Sequence, residues 1–97
     1  MKILALEIEI EKISPKAFQP YLQEEAKKVW ELQQQGFIRE IYFRNDETSA
    51  VLILEAKNKE EANQKLYELP LVKNGLIKFE IIPLRAYPGF ERLFRKD

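Results

Sequence analysis

An α+β fold with the element order βαββαβ is predicted by three features of this sequence. Four segments, 2–10, 37–44, 50–57 and 75–85, show the period-two alternation or the short apolar run of a strand. Two segments between them carry apolar residues at helical spacing. The helical segments follow the first and third strands, so each helix links two strands, and the right-handed crossover rule puts strands one and three in the centre of the sheet.

Each element has its own signature. In "MKILALEIEI", Leu4, Leu6, Ile8 and Ile10 alternate with Ile3, Ala5, Glu7 and Glu9. Ser14 before Pro15 marks a helix start, and Pro20, which lacks an N–H, delays the regular helix to about 16–20. Phe18, Leu22, Ala26, Val29 and Trp30 then form the stripe expected to face the core, and Gly36 ends the helix. "FIREIYFR" is the second strand, "NDETS" a hairpin loop and "AVLILEAK" an apolar third strand. Asn58 is placed to cap the second helix, with Glu61 at the capping-box position. Ala62, Leu66 and Leu69 form its apolar stripe, and Pro70 stops it. The whole is the ferredoxin-like arrangement, a four-stranded antiparallel sheet with two helices on one face. Residues 1–97 are expected to form one domain, with 86–97 as a C-terminal tail.

Composition narrows the function. Sixteen basic and sixteen acidic residues cancel, which gives no reason to expect nucleic acid or an anionic membrane as partner. With neither cysteine nor histidine, disulfides, zinc sites and histidine-based triads are excluded, and no metal ligand or cofactor is assigned. "MKILALEIEI" lacks a signal-peptide pattern and no apolar stretch approaches membrane-spanning length, so a cytoplasmic location is expected.

Two helices cover one sheet face only. That face is expected to take Leu4, Leu6, Ile8, Ile10, Leu52, Leu54, Ile77, Phe79 and Ile81. The other would then hold Ile3, Ala5, Glu7, Val51, Ile53, Glu55, Lys78, Glu80 and Ile82, an apolar surface with charges set into it. Such a face marks a partner surface, and a second copy of the chain is the simplest partner. A four-residue hairpin loop would add Glu40, Tyr42 and Arg44 to this face; a five-residue loop would add Arg39, Ile41 and Phe43 instead. The first is favoured, because Phe37, Ile41 and Phe43 make the better core set.

The stretch "LPLVKNGLIKFEIIPLRAYPGF" resembles the C-terminal part of the muconolactone isomerase family, in Leu69-Pro70-Leu71, Glu80, Pro83-Leu84 and Pro88. The tail "AYPGFERLF" is similar to those of small uncharacterised relatives of that isomerase. The resemblance implies a dimeric α/β barrel with facing sheets, higher oligomers, and proton transfer within an unsaturated lactone without metal or organic cofactor.

The expected site is therefore an inter-sheet cavity. Glu80 and Glu7 would be an acid–base pair with Glu55 beside them, and Tyr42, Arg44 and Lys78 would bind a small, anionic, unsaturated substrate. Each has a plainer reading. The carboxylates and Lys78 would serve as cross-strand ion pairs that set dimer register, Tyr42 would pack with a wet tip, and Glu9 and Glu40 would be solvated. The run "EEAKK" at 24–28 reads as a solvated helix face. Tyr87, Phe90 and Phe94 are too apolar for a free end and would clasp the partner chain or cover the cavity mouth, the clasp being favoured. A non-catalytic homodimeric module that binds a small ligand or another protein is the alternative.

Overall fold

The computed structural model describes residues 1–10 and 12–95. Strands β1 (Lys2–Glu9), β2 (Ile38–Phe43), β3 (Ala50–Glu55) and β4 (Ile77–Pro83) form one antiparallel sheet in the order β2-β3-β1-β4, with strands one and three central as predicted. Helix α1 (Leu22–Gln34), helix α2 (Lys59–Leu66) and the single turn α3 (Pro70–Lys73) complete the ferredoxin-like fold. Leu32 of α1 and Ala62 and Leu66 of α2 join Leu69 in one core with Ile3, Ala5, Leu52, Leu54 and Ile81. Full burial of each Leu or Ile there contributes roughly 1.5–3 kcal/mol. No helix among the described residues is long and apolar enough to cross a membrane.

The helix ends follow local chemistry. Two 3-10 turns, Pro15–Ala17 and Gln19–Tyr21, precede α1, so the regular helix begins only at Leu22, later than expected. The two prolines break the entry into short turns because neither can donate a backbone bond. At the other end Gly36 adopts φ 84°. The Phe37 N–H then reaches the Leu32 carbonyl at 3.1 Å and the Gly36 N–H reaches that of Gln33 at 3.0 Å. This is a Schellman closure, and its two flanking apolar residues, Leu32 and Phe37, are both buried. Asn58 caps α2 by accepting from the Glu61 N–H, while Glu61 reaches back to the Lys57 N–H.

Register decides which side chains share a face, and β1 is turned over relative to expectation. Ile3 lies opposite Leu54, Ala5 opposite Leu52 and Ile81, and Glu7 opposite Phe79. Ile3, Ala5 and Glu7 therefore face the helices, and Leu4, Leu6 and Ile8 lie on the open face with Val51, Ile53 and Ile82. The physical reason is that "ILAL" is apolar on both sides, so alternation separates the two sets without saying which one the helices cover. Ala5, buried under the helices, is small enough for them to approach the sheet closely. The hairpin has the favoured register, with Arg44 N–H bonded to the Ser49 carbonyl across a four-residue loop. Glu40 and Tyr42 thus lie on the open face, opposite Ile53 and Val51, and a bulge at Arg39 absorbs the change of phase from Ile38.

Helix α1 is also rotated from expectation. Leu22, Ala26 and Trp30 point outward, with Trp30 61% exposed, whereas Phe18, Tyr21, Glu25, Val29 and Leu32 turn toward the protein. Leu32, tied to Phe37 by the closure at Gly36, fixes that rotation. Beyond Leu84, whose N–H bonds the Lys2 carbonyl, the chain forms an arm with a 3-10 turn at Gly89–Leu93. The Tyr87 and Phe90 rings meet edge-to-face at 5.0 Å, and Tyr87, Phe90, Leu93 and Phe94 are all exposed. Lys96 and Asp97, the end of the expected tail, lie outside the described residues.

Candidate functional site

The structure keeps Tyr42, Glu55, Lys78 and Glu80 on the open face and separates Glu7 from them. Glu80 lies opposite Leu6 and Lys78 opposite Ile8, both exposed on the open face. Glu7 is on the other face, so the expected Glu7–Glu80 acid–base pair does not exist; the inverted β1 is the cause. Glu55 is on the open face, opposite Lys2, and accepts from the amino terminus, whose bond and charge hold its carboxyl below the ordinary range. Tyr42 donates its hydroxyl to Glu40 Oε1 at 2.6 Å, a bond that raises the phenol's pKa. Arg44 is engaged within its own hairpin. Its guanidinium is held within the hairpin by Asp46, at 2.9 and 2.6 Å, and by Glu47 at 3.0 Å.

A different cavity lies on the helix side of the sheet, at the end where β1 stops and the β2–β3 hairpin turns. Its volume is about 610 Å³. Ile10, Ile13, Phe18, Phe43, Leu71 and Ile77 supply apolar wall, and Glu7, Glu9, Glu47, Thr48 and Ser49 supply the polar groups. Apolar walls with a few polar groups are typical of a small-molecule site.

Glu7 is the best-defined polar group in it. Partly buried, it accepts from the Ala50 N–H at 2.8 Å through Oε1, which leaves Oε2 unassigned. Loss of water raises its pKa above the ordinary value; the Ala50 bond offsets part of that, and the charges of Glu9 and Glu47 add to it. Glu25 reaches inward from α1 and accepts from the N–H of the wall residue Leu71 at 2.9 Å. Its pKa is also raised, by burial first, with the Leu71 bond opposing and the Glu7 charge adding. Ser49 is 3% exposed, and its Oγ has no hydrogen-bond partner among the described residues.

Of these, Glu7 was legible as a site candidate, though on the wrong face. Glu25 and Ser49 were missed. Glu25 was read as part of a solvated run, yet it falls on the Phe18–Tyr21–Glu25–Val29–Leu32 stripe, which a count anchored at Leu32 would have found. Ser49 carries no such signal, because it follows the loop and only the fold encloses it. Glu9, expected in solvent, is exposed and also borders the cavity.

The model of the muconolactone delta-isomerase family matches residues 4–89, which takes in most of β1, all of β2, β3 and β4, and helices α1, α2 and α3. The chain belongs to the muconolactone delta-isomerase family. Its fold is similar to that in a 3.3 Å crystal structure of muconolactone isomerase, with a TM-score of 0.69 and 19% identity over 91% of this chain and 92% of that one. No curated protein matches the chain in sequence. At this identity the likeness establishes the fold, and what a muconolactone delta-isomerase family member does here has to be argued from its own residues.

Proposed function

We propose that the chain is a cofactor-independent, isomerase-like enzyme that moves a proton on a small unsaturated lactone within the helix-side cavity. The observation that carries this reading is Glu7, a partly dehydrated carboxylate with raised proton affinity at the wall of an apolar cavity. A carboxylate whose proton affinity is raised by burial holds a proton more readily than one in water, as an acid–base group must. As the carboxylate it removes the proton beside the substrate carbonyl. As the acid so formed it returns the proton at the far end of the conjugated system, and the double bond moves. The Ala50 N–H fixes one oxygen and leaves the other for the substrate. Ser49, whose Oγ has no hydrogen-bond partner among the described residues, is the wall residue with a hydroxyl to offer a carbonyl oxygen where negative charge develops. Family membership supports the reaction class.

The test is solvent deuterium exchange into an unsaturated five-membered lactone. The wild-type chain should catalyse it, and Glu7→Gln should lower the rate by about 10²–10⁴-fold, the usual contribution of a positioned acid–base group. Retention of the wild-type rate by Glu7→Gln would remove Glu7 from the mechanism.

Self-association is part of the proposal. The open face presents Leu4, Leu6, Ile8, Val51, Ile53 and Ile82, and the arm beyond Leu84 exposes its aromatics. Two sheets packed through this face would form a dimeric α/β barrel, with Glu40, Glu55, Lys78 and Glu80 as register-setting charges and the arm as a clasp. The same features favour a second reading, a non-catalytic homodimeric module. Dimers that bind no lactone and exchange no proton would select it.

A further inference from the structure

Leu71 is held at both of its backbone groups. It is the second residue of α3, a turn that begins with Pro70 and has no side-chain cap from its own N-cap residue, Leu69. The Leu71 N–H therefore has no partner inside the turn. Glu25, 46 residues earlier on α1 and partly buried, supplies one by accepting through Oε1 at 2.9 Å. At the other end Gly75 takes φ 74°, and the Leu76 N–H returns to the Leu71 carbonyl at 2.8 Å. The segment so fixed carries Leu71, Leu76 and Ile77, all of which wall the cavity. A second link runs from α1 to the chain just before α3, Lys28 to Glu68 at 2.9 Å. It is a surface ion pair and so a weak tie. The Glu25 bond, charge-assisted and partly dehydrated, is the stronger one.

We infer that Glu25 is a positioning residue, which from α1 fixes the wall formed by residues 71–77 and with it the shape of the space where Glu7 meets the substrate. The inference rests on the proposed reading of the cavity as the substrate site. Glu25 does not itself line the cavity. It acts through Leu71. Glu7 belongs to the sheet and is set by the Ala50 N–H; Leu71 belongs to the helix layer and is set by Glu25. The two bonds thus fix the sheet-borne and the helix-borne parts of the cavity separately. Loss of the second frees an apolar wall to move relative to the carboxylate, and a bound molecule then loses contact area on that side.

The experiment compares Glu25→Gln, Glu25→Asp and Glu25→Ala with the parent, all in the full-length chain. Glutamine loses the charge and keeps an acceptor at the same reach. Aspartate keeps the charge and is one methylene shorter, and alanine lacks both. Amide hydrogen exchange is read first and needs no ligand. Protection at Leu71 and Leu76 should fall at least about tenfold in the aspartate and alanine variants, and glutamine should keep most of it, with Ala50 as the internal control. Turnover is read second, as solvent deuterium exchange into an unsaturated five-membered lactone. KM should rise about tenfold in the aspartate and alanine variants with kcat changed less, and glutamine should restore it. Undiminished protection of Leu71 in Glu25→Asp overturns the inference, and the aspartate–glutamine pair decides alone if the alanine variant does not fold. Lost protection with an unmoved KM also overturns it, because Glu25 is then a structural tie without effect on the cavity. If the parent exchanges no proton, the proton-transfer reading fails, and titration of the same lactone followed at the Ala50 amide replaces KM. Weaker binding to Glu25→Asp than to Glu25→Gln then upholds the positioning role. Equal binding, or none, overturns it.

Discussion

Replacing Ser49 by alanine should make the protein more stable. A hydroxyl that gives up water and finds no partner costs about 1–3 kcal/mol, and among the described residues Ser49 Oγ is in that position. Against this stands the loss of a few dispersion contacts to one oxygen, each about 0.1–0.2 kcal/mol. The backbone is untouched, so the bond from the Arg44 N–H to the Ser49 carbonyl at 2.9 Å survives. The net gain is on the order of 1 kcal/mol. For a chain of this size that is a rise in Tm of roughly 4–8 °C. The assay is urea unfolding followed by far-ultraviolet circular dichroism, at one protein concentration so that association does not shift the midpoint. An unchanged slope with a higher midpoint is the expected result. A Ser49→Ala protein as stable as the parent, or less so, would mean that the hydroxyl is satisfied in solution and that the wall holds no spare donor. If the gain appears together with weaker binding of the unsaturated lactone, the serine is kept at a cost in stability for the ligand's sake.

Three further outcomes follow from the geometry. Glu7 and Glu25 have raised carboxyl pKa values, so the stability they contribute is present in full below the ordinary value of 4.5 and is lost as pH rises through their folded values. Glu7→Gln and Glu25→Gln should each flatten that decline, and denaturation midpoints between pH 4 and pH 8 check it; steeper pH dependence in either variant would contradict the assignment. Gly36→Ala should cost about 1–2 kcal/mol through its left-handed backbone alone, since the nearest atom to an added Cβ is Arg39 Nε at 3.9 Å. Denaturant titration should show that loss. Removing residues 85–97 should leave the far-ultraviolet spectrum of the sheet in place, because Leu84 makes the last backbone bond to the sheet among the described residues. The same truncation should shift sedimentation toward smaller species, and an unchanged distribution would argue against the clasp.

The element order and the strand order were readable from the sequence, because periodicity and the crossover rule carry them; the hairpin register was chosen between two loop lengths on a core set of which only Phe37 is buried. Strand β1 shows where that reading stops. In "ILALEIE" both alternating sets are apolar near the start, and only the packing of Ile3 and Ala5 under the helices breaks the tie. The site moved with it. Once β1 turned over, Glu7 left the company of Glu80 and Lys78 and joined Glu25 and Ser49, residues brought near it by a helix and a hairpin distant in sequence. Helix α1 failed for a related reason: Leu22, Ala26 and Trp30 make as regular a stripe as Phe18, Tyr21, Glu25, Val29 and Leu32, and the apolar character of tryptophan outweighed a glutamate that the fold turned inward.

The outward position of Trp30 has a practical side. It is the chain's one tryptophan, and it stands more than half in water. Its indole emission in the native protein should already resemble that of the unfolded chain, so fluorescence would follow denaturation poorly. The same exposure makes it a sensitive optical reporter of anything that covers helix α1. A blue shift on raising protein concentration would reveal a neighbouring molecule on the Leu22–Ala26–Trp30 surface, a contact distinct from one made through the open sheet and separable from it by wavelength alone.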